Sequence, residues 1–176
     1  DISFTAFSEK LNAFNAKRVG AWFGGQHLPP IDFWSRLSEI TNISIPIGVW
    51  DYLSPTPINN QHNNNKVVFA GNLGKSPFIM QLSLIDLPFS IFGKKDKVNQ
   101  EMPNIIFHGE RKPNELVLEI CHSAWGLVWD GNSIDTCTGL LGNYLRFNNS
   151  HKCGLYLAAG IPLIVWKESG MAHFVN

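Results

Sequence analysis

An α/β fold, a parallel sheet flanked by helices, is predicted for this chain by three observations. From Lys66 onward, short apolar runs alternate with stretches of helical periodicity, the rhythm of parallel strands joined by crossover helices. One helix-to-strand unit carries its own start and stop signals: Ser150 to cap a helix running to Ala159, Gly160 for the left-handed position after it, and Pro162 to open the strand Leu163 to Trp166. The composition supplies a core, since 44% of the 176 residues are hydrophobic and only 16% charged, against about 25% charged in an average domain.

Val67 to Ala70 reads as the first strand and runs into Gly71-Asn72-Leu73-Gly74-Lys75-Ser76. A helix is expected from near Ser76, because Phe78, Ile79, Leu82 and Ile85 recur at helical spacing. Leu87 to Phe92 is the second strand, Gly93 to Met102 a charged loop, and Asn104 to Phe107 the third strand. Pro113 suits the first turn of a helix, where its missing N–H costs nothing, and Leu116, Val117, Ile120, Cys121 and Ser123 supply the apolar face. Gly126 to Trp129 is the next strand, followed by a long polar segment that reaches Ser150. The strands at Val67, Asn104, Gly126 and Leu163 are expected to be neighbours. Before Lys66, Ile2 to Phe7 reads as a strand and Glu9 to Ala16 as a helix, whereas Pro55, Pro57 and the tract Asn59 to Asn65 read as an exposed polar linker or loop.

Fourteen basic residues balance fourteen acidic ones, so no global field draws this surface to nucleic acid, and an anionic ligand has to be bound locally. The three cysteines Cys121, Cys137 and Cys153 are an odd number with no C-x-x-C pair, which argues against a disulfide framework and a structural zinc site and fits a reducing cytoplasm. No D-x-D, H-E-x-x-H or G-x-S-x-G motif is present, so no metal is expected and serine-hydrolase chemistry is demoted. No apolar run reaches the ~20 residues of a membrane span.

Lys152 is the most informative residue. A cation in the first turn of a helix faces the positive end of the macrodipole and is disfavoured by ~0.3–1 kcal/mol, unless an anion lies between them. A phosphate would resolve the conflict, and Asn148, Asn149, Ser150 and His151 add polar groups beside the same free N–H donors. The alternative is a lysine that snorkels into solvent. Gly71, Asn72 and Lys75 form a second candidate, a small-residue turn at the carboxyl end of a parallel strand, where open α/β sheets bind ligands. It is not a Walker loop, which needs four residues between its glycines, whereas Gly71 and Gly74 have two. Nor does it hold the glycine pair of a dinucleotide fingerprint, which speaks against an NAD-dependent oxidoreductase. His108 and Arg111, Asp130 and Glu168 follow three other strands and are expected on the same sheet edge.

The stretches Gly126-Leu127-Val128-Trp129-Asp130-Gly131 and Asn148 to Trp166 resemble bacterial galactofuranosyltransferases and the glucosyltransferases that extend N-acetylglucosamine on serine-rich adhesins. Weaker similarity extends through Phe69-Ala70-Gly71-Asn72 to Gly48-Val49-Trp50-Asp51-Tyr52 and Asp1-Ile2-Ser3. The resemblance implies a GT-B architecture of two Rossmann-like lobes and a metal-independent, cofactor-free transfer of a hexosyl group, galactofuranose or glucose, from a UDP-sugar to a glycan or glycoprotein acceptor. It implies that residues 1–51 end an N-terminal lobe and connect the lobes, that 52–66 are the linker, and that 67–176 are the nucleotide-sugar-binding lobe, cut short at its C-terminus. Family members are considerably longer, so much of the enzyme is expected to lie outside this chain.

Carried over by position, the diphosphate-binding lysine falls on Lys152. A donor-site arginine falls on Lys75 and an aromatic nucleotide contact on Arg111, both departures from the family pattern. The donor-binding set is thus Gly71, Asn72, Lys75, Arg111, Asn149, Ser150, His151 and Lys152, with Lys152 catalytic in stabilising the departing diphosphate. A cytoplasmic protein is expected, with peripheral attachment at the inner face of the membrane and homo-oligomerisation left open. The alternative reading is a non-catalytic nucleotide- or nucleotide-sugar-binding module.

Overall fold

The computed structural model describes residues 64–94 and 102–175, together with Tyr52, Ser54 and Ile58. The strand and helix expected before residue 20, the boundary at 51, and most of the linker and of the charged loop after Gly93 lie outside the described residues.

Five strands form one parallel sheet: β1 (Val67–Ala70), β2 (Phe89–Phe92), β3 (Ile105–Gly109), β4 (Trp125–Val128) and β5 (Leu163–Val165), in the order β3-β2-β1-β4-β5. The flanking elements are two 3-10 segments (Leu73–Lys75 and Pro77–Leu84) and the helices α1 (Pro113–Ile120), α2 (Gly139–Tyr144), α3 (His151–Ala158) and α4 (Ala172–Val175). The expected Rossmann-like class is what the chain adopts.

β1 lies at the centre and is apolar throughout because both its faces are covered. Side chains alternate across a strand, so Val68 and Ala70 face one core with Val117 and Ile120 of α1 and Cys153 and Tyr156 of α3. Val67 and Phe69 face the opposite core with Phe78, Ile79 and Leu82. There Phe69 and Phe78 meet edge to face, with centroids 5.2 Å apart.

The structure corrects several expectations. The helix after Ser76 is a 3-10 segment, Pro77–Leu84, closed by i→i+3 bonds such as Ile79 N to Ser76 O at 3.1 Å. That winding sets Ile79 and Leu82, three apart, one above the other against the sheet. Ser76 does not cap it, because its hydroxyl donates back to the Asn72 carbonyl at 3.0 Å. β2 stands between β1 and β3, so the strands at Val67 and Asn104 are not neighbours. β3 runs on through His108 to Gly109, across a register shift opposite Ile91 and Phe92. The polar segment before Ser150 contains α2, whose glycine-rich sequence hides its period, and α4 was not anticipated. The unit from Ser150 to β5 is as read: the Ser150 hydroxyl accepts from Lys152 N at 3.3 Å, and Gly160 has φ +66°.

The sheet reverses its direction of growth between β1 and β4, where pairing is limited to Val67 with Trp125 and Val68 with Gly126. Above that point the fully buried Tyr156 hydroxyl enters the split, accepting from Ala70 N at 3.0 Å and donating to Leu127 O at 3.2 Å. Burial pushes its phenol pKa far up, so it remains a neutral donor. Gly126 makes room, since a Cβ there would lie 2.4 Å from the Tyr156 ring. Tyr156→Phe leaves a buried amide and a buried carbonyl unpaired and should cost about 1–3 kcal/mol, read as a lower urea midpoint. Gly126→Ala, which forces the ring off β4, should be the more damaging of the two in the same titration.

Candidate functional site

Because all five strands are parallel, their carboxyl ends share one edge, the edge at which open α/β sheets bind ligands, and β1 and β4 flank the point of topological reversal. Gly71 follows β1, Gly93 follows β2, and Gly109 ends β3. Gly71 N donates to Phe92 O at 3.0 Å and Gly93 N to Gly109 O at 2.9 Å, which carries the sheet one residue beyond the strands. Gly93 has φ +148°, and a Cβ on it would fall 2.1 Å from the Gly71 carbonyl oxygen, so no side chain fits there.

Lys152 reaches this ledge from the first turn of α3. Its Nζ lies 2.8 Å from Asp130 Oδ2 and 5.3 Å from the centre of the Phe69 ring, and its Cε lies 3.1 Å from where a Cβ on Gly71 would stand. The two side chains of the ion pair are only 15% and 21% exposed. Lys152 therefore does not snorkel into solvent; it lies across the end of β1. The anion that the dipole argument requires is present within the chain as Asp130, so the first-turn lysine does not by itself demand a phosphate. The loop carrying Asp130 is pinned: Gln81 donates to Asn132 O at 3.1 Å and accepts from Ile134 N at 3.2 Å. Gly131, with φ +109°, packs on Thr138. Two buried thiols, Cys137 and Cys153, lie close enough to feel the Lys152 charge, and burial pushes each up to about 11, which leaves them protonated and inert at neutral pH.

The other expected residues divide. Ser150, buried, and Asn149 and His151 beside it stand at the α3 N-terminus with Lys152. Gly71 lies under the Lys152 stem. Asn72 is exposed, and Lys75 is exposed at the end of the first 3-10 turn. Arg111 stands beside Gly109 at the β3 end of the edge, its Nε 2.6 Å from Glu119 of α1 and its Nη1 2.6 Å from the His108 carbonyl. Glu168 pairs with Arg146 at 2.6 Å. His108, inside β3 instead of after it, stacks on Phe92 at 4.5 Å, with Nε2 3.3 Å from Ser90 Oγ. The pairing of Asp130 with Lys152 and the contact with Phe69 escaped the sequence reading, whose only trace of them was an acidic residue at a strand end.

Two outcomes follow from this geometry. Lys152→Ala strands a half-buried carboxylate, so apo stability should fall by an amount between the ~0–1 kcal/mol of an exposed pair and the ~3–5 kcal/mol of a fully buried one, measured by thermal melting. This reverses the gain that the dipole alone would give. Burial lowers the His108 pKa below its ordinary 6.5, so the unfolded chain binds the proton more readily. The stability from His108 is present above the ordinary imidazole range and is lost as pH falls through it; His108→Gln should flatten that part of the stability profile.

Residues 67–176 match the family model described as "Glucosyltransferase 3-like, C-terminal domain". The chain is 32% identical over 134 residues to the beta-1,6-galactofuranosyltransferase WbbI of Escherichia coli K12, covering 73% of this chain and 39% of that protein. It is 34% identical over 119 residues to glucosyltransferase 3 of Streptococcus gordonii, covering 66% of this chain and 34% of the relative. With glucosyltransferase 3 of Streptococcus parasanguinis it shares 28% identity over 143 residues, covering 81% and 38%. The matched region thus spans under two fifths of each relative. The parallel sheet, the capped α3 and the sequence match over that same stretch agree, and the chain belongs to the glucosyltransferase 3-like family.

Proposed function

We propose that this chain carries the donor-binding lobe of a metal-independent GT-B hexosyltransferase, which moves galactofuranose or glucose from a UDP-sugar to a saccharide or glycoprotein acceptor. The observation that carries the reading is Lys152, held half-buried across the end of β1 beside the N-terminus of α3. A diphosphate there meets an ammonium and the positive end of the α3 macrodipole. Both are in place before reaction and would stabilise the negative charge that develops as the sugar–phosphate bond breaks, the service that a metal gives in other transferases. Gly71 and Gly93 lend the reading support, because the ledge they form lets a ligand approach the backbone closely.

The relatives named galactofuranosyltransferase and glucosyltransferase support hexosyl transfer as the reaction class. The three described cysteines are buried and free, as suits a reducing cytoplasm, and among the described residues no helix is long and apolar enough to cross a membrane.

Calorimetric titration with UDP, ADP, GDP and NAD tests the reading, with UDP expected to bind tightest. Lys152→Ala removes a charge-assisted contact worth ~1.5–3 kcal/mol and should weaken UDP roughly ten- to hundredfold. Unaltered UDP affinity in that variant would remove Lys152 from the site.

A further inference from the structure

We propose that Asp130 is a resident counter-ion for Lys152, holding the ammonium in place while the site is empty and limiting how tightly it retains the nucleotide product. The inference rests on the donor-diphosphate reading of Lys152. Three observations carry it. The pair is short, at 2.8 Å, and mostly shielded from water, so each charge dominates the field at the other. The backbone that presents Asp130 is fixed by Gln81 and by the close packing of Gly131 on Thr138, so the carboxylate stays beside Lys152 unless its own side chain turns away. Lys152 in turn lies over Phe69 and fills the space that a side chain on Gly71 would take, so its ammonium has little freedom to leave the carboxylate when an anion arrives.

A diphosphate oxygen that takes a charge-assisted contact of about 2.8 Å with Lys152 therefore comes near the Asp130 carboxylate. Two anions then compete for one cation. The carboxylate supplies in the empty site what the phosphate supplies in the filled one, and the exchange takes place between side chains without moving the sheet or α3. The consequence is kinetic: a nucleoside diphosphate leaving the site is replaced at once by an anion already at hand, which speeds release, and most differences in affinity at a given site reside in the dissociation rate.

A purely structural or orienting role for Asp130 predicts the opposite sign, because loss of the carboxylate would then let Lys152 drift and weaken the ligand. Asp130→Asn keeps the shape and removes the charge. Measured on the full chain by calorimetry and stopped-flow displacement, it should bind UDP and inorganic pyrophosphate roughly tenfold tighter than the wild type, the change falling mainly in slower UDP dissociation. Its apo melting temperature should fall, since the lone ammonium is half-buried. Asp130→Ala serves as a second variant and should tighten pyrophosphate in the same direction. Equal or weaker binding in a folded Asp130→Asn, with the wild type binding UDP, overturns the counter-ion role and leaves the donor-site reading intact. A wild type that binds neither UDP nor pyrophosphate overturns both.

Discussion

The hydroxyl of Tyr156 accepts the Ala70 amide and donates to the Leu127 carbonyl, and the arrangement of the sheet's carboxyl edge depends on that buried group. In an unbroken parallel pair those backbone groups would satisfy one another, and β1 and β4 would stay zipped to their ends. Here the ladder stops after Val68 and Gly126, and one side-chain oxygen meets both demands at once. The separated strand ends leave the gap at the topological reversal into which Lys152 extends. The arrangement is costly to disturb, because a buried amide without a partner loses its water and gains nothing. Gly126 follows from it, since the ring that carries the hydroxyl lies where any Cβ on β4 would stand.

The same helix supplies both the wedge and the cation. Tyr156 and Lys152 are four residues apart on α3, so they lie one turn apart on the same face, Tyr156 inside the sheet and Lys152 above its edge. Fixing the helix on the sheet through Tyr156 therefore fixes the height at which the ammonium meets the end of β1. Ser150 caps the helix two residues before Lys152, its hydroxyl accepting from the Lys152 amide and its carbonyl from the Cys153 amide. Asp130 arrives from β4, on the opposite bank of the split, and neutralises the ammonium there.

The two cores on either side of the sheet contribute differently. The α1 and α3 side carries Lys152, whereas the 3-10 segment on the other side braces Phe69 beneath the Lys152 ammonium and, through Gln81, holds the loop that carries Asp130. A segment on the other face of the sheet from α3 thus helps to set the position of both charges.

The sequence by itself determined the α/β class, the five described strands to within a few residues, the cap and stop of α3, and a lysine in its first turn at odds with the helix dipole. These are local properties: apolar runs of strand length, a serine before a helix, a glycine after it, and a charge at odds with a dipole are each legible within a few neighbouring residues. Tertiary structure alone decided that β2 stands between β1 and β3, that Arg111 turns to Glu119, that the segment after Ser76 winds as a 3-10 helix, and that Asp130, far from Lys152 in the chain, neutralises it. The physical reason is range. A periodicity or a cap is satisfied by residues close in sequence, whereas the order of strands and the partner of a buried charge depend on which distant groups the completed fold brings within a few ångströms.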